Sequence, residues 1–326
     1  SIKKIATGLL DSILHCHEVG LLLTQVRGAD ANMFLQALET CESPIETHVR
    51  FLSNVVDFAR LEAGKYEFTR TPFRLRDCIG EALKRLAFSA HQKNVELCYA
   101  VQADVPEHVV GDPAQLQQVL INLVDNAIKF TDCGEVVVEV QKDDFAENPA
   151  SATPKKQDPT SFLVRFAVRD TGVGIARIQF QALTQLFSSG NHNGRSVLVG
   201  GLGLAISHRL VEFMGGKIAI ASEVQGGTVC SFSARLHSDK SNTGGAITNL
   251  AELQGRRLLV ADDNATHRRI LQDLLVSWGA QPLFAASGRE ALTLLYKQSE
   301  DDRFAALVID GHLSDIEGFA SIRRQH

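Results

Sequence analysis

The sequence predicts a multidomain chain in which an all-α hairpin is followed by an α/β sandwich and then by a partial, doubly wound parallel α/β unit. Its 326 residues are enough for two or three domains. Apolar residues recur every three or four positions in the first segment, whereas strand-like and helix-like patterns alternate in the rest. These patterns place the hairpin at 1–64, the sandwich at 65–237, a linker at 238–255 and the last unit at 256–326.

Composition narrows the class of protein before any motif is considered. Hydrophobic residues make up 44% and charged residues 22% of the chain, which is ordinary for a globular protein. The net charge of −5 argues against general binding of nucleic acids, which favours a basic surface. The six cysteines contain no CxxC pair, so neither a zinc site nor a disulfide framework is indicated. We therefore expect a cytoplasmic protein, with any membrane attachment supplied by segments upstream of Ser1.

Residues 1–64 have the pattern of two long helices with a break at 27–30. The first helix carries apolar residues with the alternating spacing of a coiled-coil seam, and the second carries a similar stripe that Gly64 can end as a C-terminal cap. One hairpin has too little core to be stable alone. Pairing with a second copy into a four-helix bundle is the natural solution, so we expect a homodimer.

The sandwich is predicted from strands that alternate with helices. Between its second and third strands, the stretch 142–160 is rich in Pro, Ala, Asp and Lys and is interpreted as an insertion in a hairpin. The strand-like runs occupy 95–101, 135–140, 161–169, 217–222 and 228–236.

The last unit begins a second α/β pattern. A buried-type strand at 257–261 is followed by a helix, a strand at 281–285, a helix from Gly288 and a strand at 305–309. This βαβαβ order predicts a parallel sheet. The chain ends at His326, before the five strands that such a sheet usually has, so we expect the unit to be partial.

Three polar residues share one face of a predicted helix at 111–131. Asn122, Asn126 and Lys129 are separated by four and three positions, which aligns them along one side. The amide oxygens of the asparagines can join a magnesium shell that is otherwise water and phosphate. The lysine can neutralise the charge of a phosphate.

Two glycine-rich stretches follow this helix. Asp170 begins the stretch DTGVGI, in which a carboxylate can accept a hydrogen bond from the amino group of a base and glycines let the backbone approach a ligand. The stretch GGLGLAI at 200–206 is predicted to open a helix whose N-terminal amides suit an anion. The polar run at 188–199 has the composition of a lid over a nucleotide. Each piece alone is a weak signal, but the three in this order predict a nucleotide site.

Several stretches carry a resemblance to a known family. NLVDNAIKFT, DTGVGI, Phe187, GGLGLAIS and GGKIAIASEVQGGT resemble the N, G1, F, G2 and G3 boxes of histidine kinases. VADDNATHRRIL with VIDGHLSDIEGF resembles a receiver domain, and DFARLEAGKYEF resembles the end of a dimerisation hairpin. The resemblance to hybrid sensor histidine kinases implies that hairpin, an ATP-binding domain of the Bergerat type and a receiver domain.

The resemblance implies ATP and Mg²⁺ as cofactors. Asn122 and Asn126 would hold magnesium, while Lys129 would contact phosphate. Asp170 would then read the adenine base. The other implied nucleotide-binding residues are Gly172, Gly174, Phe187, Gly201, Gly203 and Thr228.

Three acids of the last unit form a second candidate site. Asp262, Asp263 and Asp310 follow the first and third predicted strands, at the edge where open α/β sheets bind ligands. Converging carboxylates repel one another unless a divalent cation lies among them. The alternative is a set of exposed acids at strand ends. The resemblance makes Asp310 the phosphoryl acceptor and all three residues magnesium ligands.

The histidine that would accept the phosphoryl group has two interpretations. The heptad phase leaves His17 half exposed beside the seam, with Glu18 to take its proton. However, the family's Arg, Thr and Pro do not follow this pair. Counting back from Asp57 by the family's usual interval of about 48 residues lands near Leu9, which would mean that the histidine is absent.

Three hypotheses for function follow. The first is a homodimeric hybrid histidine kinase that moves the γ-phosphoryl group of ATP to His17, then to Asp310, and on to a downstream phosphotransfer or response-regulator protein. The second is an ATP-binding scaffold that regulates another kinase without phosphorylating itself. The third, an ATPase of the gyrase or chaperone kind, needs a carboxylate to activate water one turn before Asn126, where Asn122 stands instead.

Overall fold

The computed structural model describes residues 69–143, 160–188, 196–223, 226–239, 253–297, 303–311 and 313. The predicted hairpin at 1–64 lies outside the described residues, as does most of the predicted linker. In the part of the chain that is described, no helix has the length and apolar character needed to cross a membrane.

A seven-stranded sheet organises the first α/β domain. Six strands follow the order β1-β3-β7-β5-β4-β2, and β6 pairs with β7 on the edge that does not contact β5. The pairing of β2 with β4 is parallel and the other pairings in this sheet are antiparallel. The strands are β1 (Thr71–Arg74), β2 (Val95–Val101), β3 (His108–Gly111), β4 (Gly134–Lys142), β5 (Ser161–Asp170), β6 (Ile218–Glu223) and β7 (Gly227–Ser238).

Helices accompany this sheet, and α3 begins with a strong cap. The Asp112 side chain accepts a hydrogen bond from the Gln115 amide at 3.2 Å, and Pro113 occupies the first turn, where its missing N–H costs nothing. The helices are α1 (Leu75–Lys84), α2 (Ala87–Gln92), α3 (Pro113–Lys129), α4 (Arg177–Ser188) and α5 (Ser196–Phe213).

The core of this domain lies on one face of the central strands. Phe166 of β5 and Phe232 of β7 are paired in register and stack with ring centroids 4.8 Å apart. Leu116 and Leu120 of α3 are fully buried, and they lie on a different face of the helix from Asn122 and Asn126 because of the 3.6-residue period. The apolar side of α3 therefore fixes which way its polar side points.

The α/β type of this domain was correctly predicted, and the five predicted strands agree with the observed strands within two residues at each end. Strands β1 and β3 were not predicted because each has only four residues, and β1 lies at the sheet edge and contains Pro72. The antiparallel pairing of β4 with β5 confirms that 142–160 joins a hairpin, although 144–159 lies outside the described residues.

One prediction was wrong. The stretch GGLGLAI does not open a helix, because α5 begins at Ser196 and the glycines at 200, 201 and 203 lie inside it. Each interior glycine costs about 1 kcal/mol in helix propensity, yet the apolar residues Val197, Leu198 and Val199 continue the helix upstream. The N-terminal amides of α5 therefore belong to the residues from Ser196 onward rather than to the glycines.

The second α/β unit has the βαβαβ order. Its sheet is parallel, with the order β10-β8-β9. Apolar clusters cover both faces, one containing Leu259 and Ala285, the other Leu258 and Leu275. The elements are β8 (Arg257–Ala261), α6 (Ala265–Ser277), β9 (Gln281–Ala285), α7 (Gly288–Tyr296) and β10 (Ala306–Ile309).

Candidate functional site

Asp170 ends β5 as a nearly buried carboxylate, 8% exposed. Its Oδ1 accepts hydrogen bonds from the backbone amides of Gly172 at 2.9 Å and Thr228 at 3.1 Å. Burial raises the pKa of Asp170, and these two hydrogen bonds oppose that rise. Among the described residues, none donates a hydrogen bond to Oδ2. The side chain is thus oriented by the backbone through one oxygen and can offer the other to a ligand.

The turn after Asp170 packs against the end of α3. A Cβ atom on Gly172 would lie 2.3 Å from the carbonyl oxygen of Phe130, so no side chain fits there without moving backbone. The Val173 amide donates to that same carbonyl at 3.3 Å. The predicted base-reading residue is therefore held next to the helix that carries the predicted magnesium ligands.

Ser222 supports this turn from β6, and the sequence analysis missed it. Its Oγ accepts from the Ile175 amide at 2.8 Å, donates to the Gly227 carbonyl at 3.0 Å, and lies 3.1 Å from Thr228 Oγ1. Gly174 adopts a positive φ of 70°, and a Cβ there would lie 2.1 Å from the Glu223 carbonyl. The role of Ser222 follows from the register of β6 with β7, which pairs Ser222 with Thr228.

The polar face of α3 carries Asn122, Asn126 and Lys129 as predicted from their spacing. The two asparagines are half buried and the lysine is exposed. Lys129 Nζ lies 5.5 Å from the centroid of the Phe130 ring. These groups carry two amide oxygens and one cation on one side of α3, and such groups can coordinate magnesium and neutralise phosphate charge.

The other predicted nucleotide-site residues that the structure describes lie within helices. Phe187 lies in α4, and Gly201 and Gly203 lie within α5. His17 and Glu18 are outside the described residues. The hydrogen-bonded arrangement described above thus contains Asp170, Gly172 and Thr228 from the prediction, with Ser222 added. Gly174 packs closely beside it.

Three carboxylates meet at the carboxyl end of the second sheet. Oxygens of Asp262, Asp263 and Asp310 all lie within 4.8 Å of one another. Asp262 is nearly buried, Asp310 is half buried and Asp263 is exposed. Strand pairing brings the acids together, since the Asp310 amide donates to the Ala261 carbonyl at 2.8 Å. Such a cluster of hard oxygen ligands fits a divalent cation, which also relieves their mutual repulsion.

Asp262 is held by residues that the sequence analysis did not single out. Its Oδ1 accepts from the Asn264 amide at 2.8 Å, and its Oδ2 lies 3.4 Å from His267 Nδ1. Arg268 donates to the Asp262 carbonyl at 2.6 Å. Asn264 also caps α6 by accepting from the Thr266 and His267 amides. Its position directly after the two acids and before a helical pattern was the available signal.

Comparison with known proteins assigns a class to this arrangement. Residues 111–239 match the family of histidine kinase-, DNA gyrase B- and HSP90-like ATPases. The matched segment contains α3, the Asp170 turn and β6–β7. The first α/β domain is therefore similar to this ATPase family over the matched segment.

Curated relatives narrow the class further. The chain is 35% identical over 248 residues to the sensor histidine kinase GacS of Pseudomonas protegens, covering 76% of this chain and 26% of that protein. It is 31% identical over 319 residues to the virulence sensor protein BvgS of Bordetella bronchiseptica, covering 94% of this chain and 24% of that protein. The chain is thus a relative of hybrid sensor histidine kinases, and it spans about a quarter of the length of these relatives.

A solved structure supports the same relationship. The crystal structure of full-length ShkA in complex with AMPPNP is 25% identical, with a TM-score of 0.62, and the match covers 96% of this chain and 60% of that one. The similarity extends beyond the ATPase domain, since that domain alone makes up less of the chain than is matched.

Proposed function

We propose that this chain is the core of a hybrid sensor histidine kinase, which binds ATP with Mg²⁺ and starts a phosphorelay. The observation that carries the proposal is the geometry of Asp170. Two backbone amides orient its carboxylate through one oxygen, while the other oxygen can accept from the amino group of adenine. Hydrogen bonds to a charged group contribute about 1.5–3 kcal/mol, so one such contact gives useful selectivity for the base.

The polar face of α3 would receive the phosphates. Asn122 and Asn126 would complete the coordination of a magnesium ion that is also bound by phosphate and water. Lys129 would neutralise phosphate charge beside them. When bound, the cation withdraws charge from the γ-phosphoryl group, and the residues of this chain act by positioning.

The phosphoryl group would then pass through two side chains. A nitrogen of the His17 imidazole forms a bond to the γ-phosphorus while the bond to the ADP oxygen breaks, and Glu18 accepts the proton that the imidazole loses. In the second step the Asp310 carboxylate attacks phosphorus, the P–N bond breaks, and the departing imidazole regains a proton from Glu18. Asp262 and Asp263, with Asp310, would hold the magnesium ion of this second step.

The proposal includes partners and a location. The predicted hairpin at 1–64 would form a homodimer, and the phosphoryl group would leave Asp310 for a downstream phosphotransfer or response-regulator protein. The chain would act in the cytoplasm. The relationship to GacS and BvgS supports the proposed dimer and the downstream partner.

Calorimetry with a non-hydrolysable ATP analogue tests the nucleotide site. Asp170→Asn keeps an oxygen for the two amides but replaces the carboxylate that reads the base, so we expect affinity to fall by about 10- to 100-fold. Arg169→Gln changes an exposed neighbour and serves as the matched control, with unchanged affinity. Equal binding by Asp170→Asn and the unmodified chain would contradict the proposed site.

A scaffold without autophosphorylation is the second candidate function. The observation that favours it is the sequence after His17 and Glu18, which reads Val-Gly-Leu-Leu-Leu and lacks the family's Arg, Thr and Pro. In that case ATP would bind at the same residues as a conformational ligand. The two candidates differ in one measurable property, which is the transfer of the γ-phosphoryl group to the protein.

A further inference from the structure

The first turn of α6 contacts the open face of the ATPase sheet. Thr266 Oγ1 donates a hydrogen bond to Glu135 Oε1 at 2.9 Å, and Asn264 Nδ2 lies 3.5 Å from the other oxygen of Glu135. Arg269 pairs with Glu139 at 3.4 Å. Glu135 and Glu139 belong to β4, so the second α/β unit reaches the first through residues more than 125 positions apart in the sequence.

The face that receives α6 is acidic. Parallel pairing aligns Glu96 of β2 with Glu135 of β4, and the two-residue period of a strand puts Glu139 on the same side. The valines of β4 at 136, 138 and 140 point to the opposite side, where they are buried. We call Glu96, Glu135 and Glu139 the acidic face. The helix presents His267 and Arg269 to it, and His267 Nε2 lies 3.9 Å from Glu96 Oε2.

The residues that contact the acidic face also surround the acidic pocket. The backbone amide of Asn264 donates a hydrogen bond to Asp262, and the side-chain amide of Asn264 donates to Glu135. His267 lies between Asp262 and Glu96. Single residues, Asn264 and His267, therefore connect the carboxylates of the pocket with those of the acidic face. Like charges this close repel, and the repulsion opposes contact between the two units.

We propose that the acidic face is a docking surface for α6 of the same chain, and that a divalent cation in the pocket of Asp262, Asp263 and Asp310 strengthens this docking. The cation reduces the negative charge next to the acidic face and holds the loop that carries Asn264. By linkage, docking in turn increases the affinity of the pocket for the cation. The ATPase domain thereby senses whether the pocket is occupied. This regulation goes beyond the proposed phosphoryl transfer and does not require it.

Cys98 provides a reporter on the docking surface. It lies on β2 opposite Val137, on the same side as the three glutamates, and burial raises the pKa of its thiol to about 12. Release of α6 would expose it and increase its rate of alkylation. Cys78 is a matched internal control, because burial raises its pKa to about 12 as well and it belongs to α1 rather than to the docking surface.

A charge exchange tests the docking. Alkylation of Cys98 and Cys78 by N-ethylmaleimide is measured on peptides by mass spectrometry in Arg269→Glu, in Glu139→Arg and in the double variant. An exposed ion pair contributes about 0.2–1 kcal/mol, so each single change should speed alkylation of Cys98 about two- to fivefold, and the exchange should restore the original rate. Lys297→Glu, an exposed change of the same charge at the end of α7, should have no effect. Single variants with unchanged rates, or a double variant without recovery, would overturn the docking.

Magnesium titration without nucleotide tests the linkage. Mg²⁺ should slow alkylation of Cys98 in the unmodified chain, and Asp263→Asn should remove this response, because Asp263 belongs to the pocket but makes none of the contacts with the acidic face described above. Calorimetry measures Mg²⁺ binding in the same samples. Bound Mg²⁺ without slower alkylation would overturn the linkage, and so would the absence of binding. Neither result depends on phosphoryl transfer, so a failure here is distinguishable from a failure of the proposed kinase activity.

Discussion

Two nearly buried aspartates lie at the carboxyl ends of strands in the two sheets, yet their surroundings differ. Asp170 is 8% exposed and Asp262 is 6% exposed. Asp170 accepts two backbone N–H groups on one oxygen, whereas Asp262 accepts one and lies among two further carboxylates. The difference shows how one residue type supports two chemistries. A single carboxylate held by amides suits a neutral hydrogen-bond donor, whereas a cluster of carboxylates favours a cation.

We expect the largest difference in stability and nucleotide binding when the glycines that follow Asp170 and Asp310 are substituted. A Cβ at Gly172 would meet the Phe130 carbonyl, while a Cβ at Gly311, next to Asp310, would meet no atom of the described residues within 4 Å. Gly172→Ala should therefore lower the free energy of unfolding by about 2–3 kcal/mol and abolish binding of an ATP analogue, whereas Gly311→Ala should do neither. Chemical denaturation and calorimetry measure both. Equal effects of the two changes would show that the Asp170 turn is not the more tightly packed one.

The next largest effect on stability should come from substituting Ser222 and Asn264, which support the turns that follow Asp170 and Asp262. Ser222→Ala leaves the Ile175 amide without its acceptor, which should cost about 1–3 kcal/mol of stability and weaken nucleotide binding. Asn264→Ala removes the cap of α6 and should cost about 0.5–2 kcal/mol, with a smaller effect on nucleotide affinity than Ser222→Ala. Thermal unfolding with and without the ATP analogue distinguishes the two variants. A loss of nucleotide affinity in Asn264→Ala as large as that in Ser222→Ala would contradict the assignment of Ser222 to the nucleotide site.

The effect of Mg²⁺ on the free energy of unfolding should differ between variants of the two aspartates, by less than the changes above. Asp262→Asn reduces repulsion in the pocket, so stability without metal should rise by about 0.5–1 kcal/mol while stabilisation by Mg²⁺ disappears. Asp170→Asn should keep the full response to Mg²⁺ when no nucleotide is present. Fluorescence of Trp278, the single tryptophan, follows unfolding of the second unit. A response to Mg²⁺ that survives in Asp262→Asn would contradict a cation site at this pocket.

The smallest effect is a dependence on pH. Because burial raises the pKa of Asp170 above its ordinary value of 3.8, the folded state binds a proton more readily than the unfolded state. The charge of Asp170 therefore lowers the free energy of unfolding at neutral pH, and this unfavourable contribution should disappear as the pH falls through the folded pKa towards 3.8. Asp170→Asn should be the more stable form at neutral pH, and its advantage should shrink across that window. A stability difference that does not change between pH 7 and pH 4 would contradict this sign.

The elements that carry the candidate site residues could be predicted from the sequence, whereas the contacts between those elements could not. Asn122, Asn126 and Lys129 could be aligned because helical spacing is a local property. Asp170 could be placed because its strand and glycine turn are contiguous. By contrast, the role of Ser222 depends on the register of β6 with β7, and register is set by pairing across the sheet.

Two further features show where local patterns are insufficient. The start of α5 was misplaced because glycines were interpreted as a helix boundary, while the apolar run before them continues the helix. The contact of Thr266 with Glu135 joins residues 131 positions apart, and neither residue is unusual in its own segment. Such pairs become visible only when the two sheets are seen together.

Incubation with γ-labelled ATP, followed by measurement of the acid and base stability of the protein-bound label, tests phosphoryl transfer to His17 most directly. We expect label that is stable in base and labile in acid, lost in His17→Ala and retained on histidine in Asp310→Ala. The absence of label in every variant, with binding of an ATP analogue intact by calorimetry, would contradict the kinase and favour the nucleotide-binding scaffold.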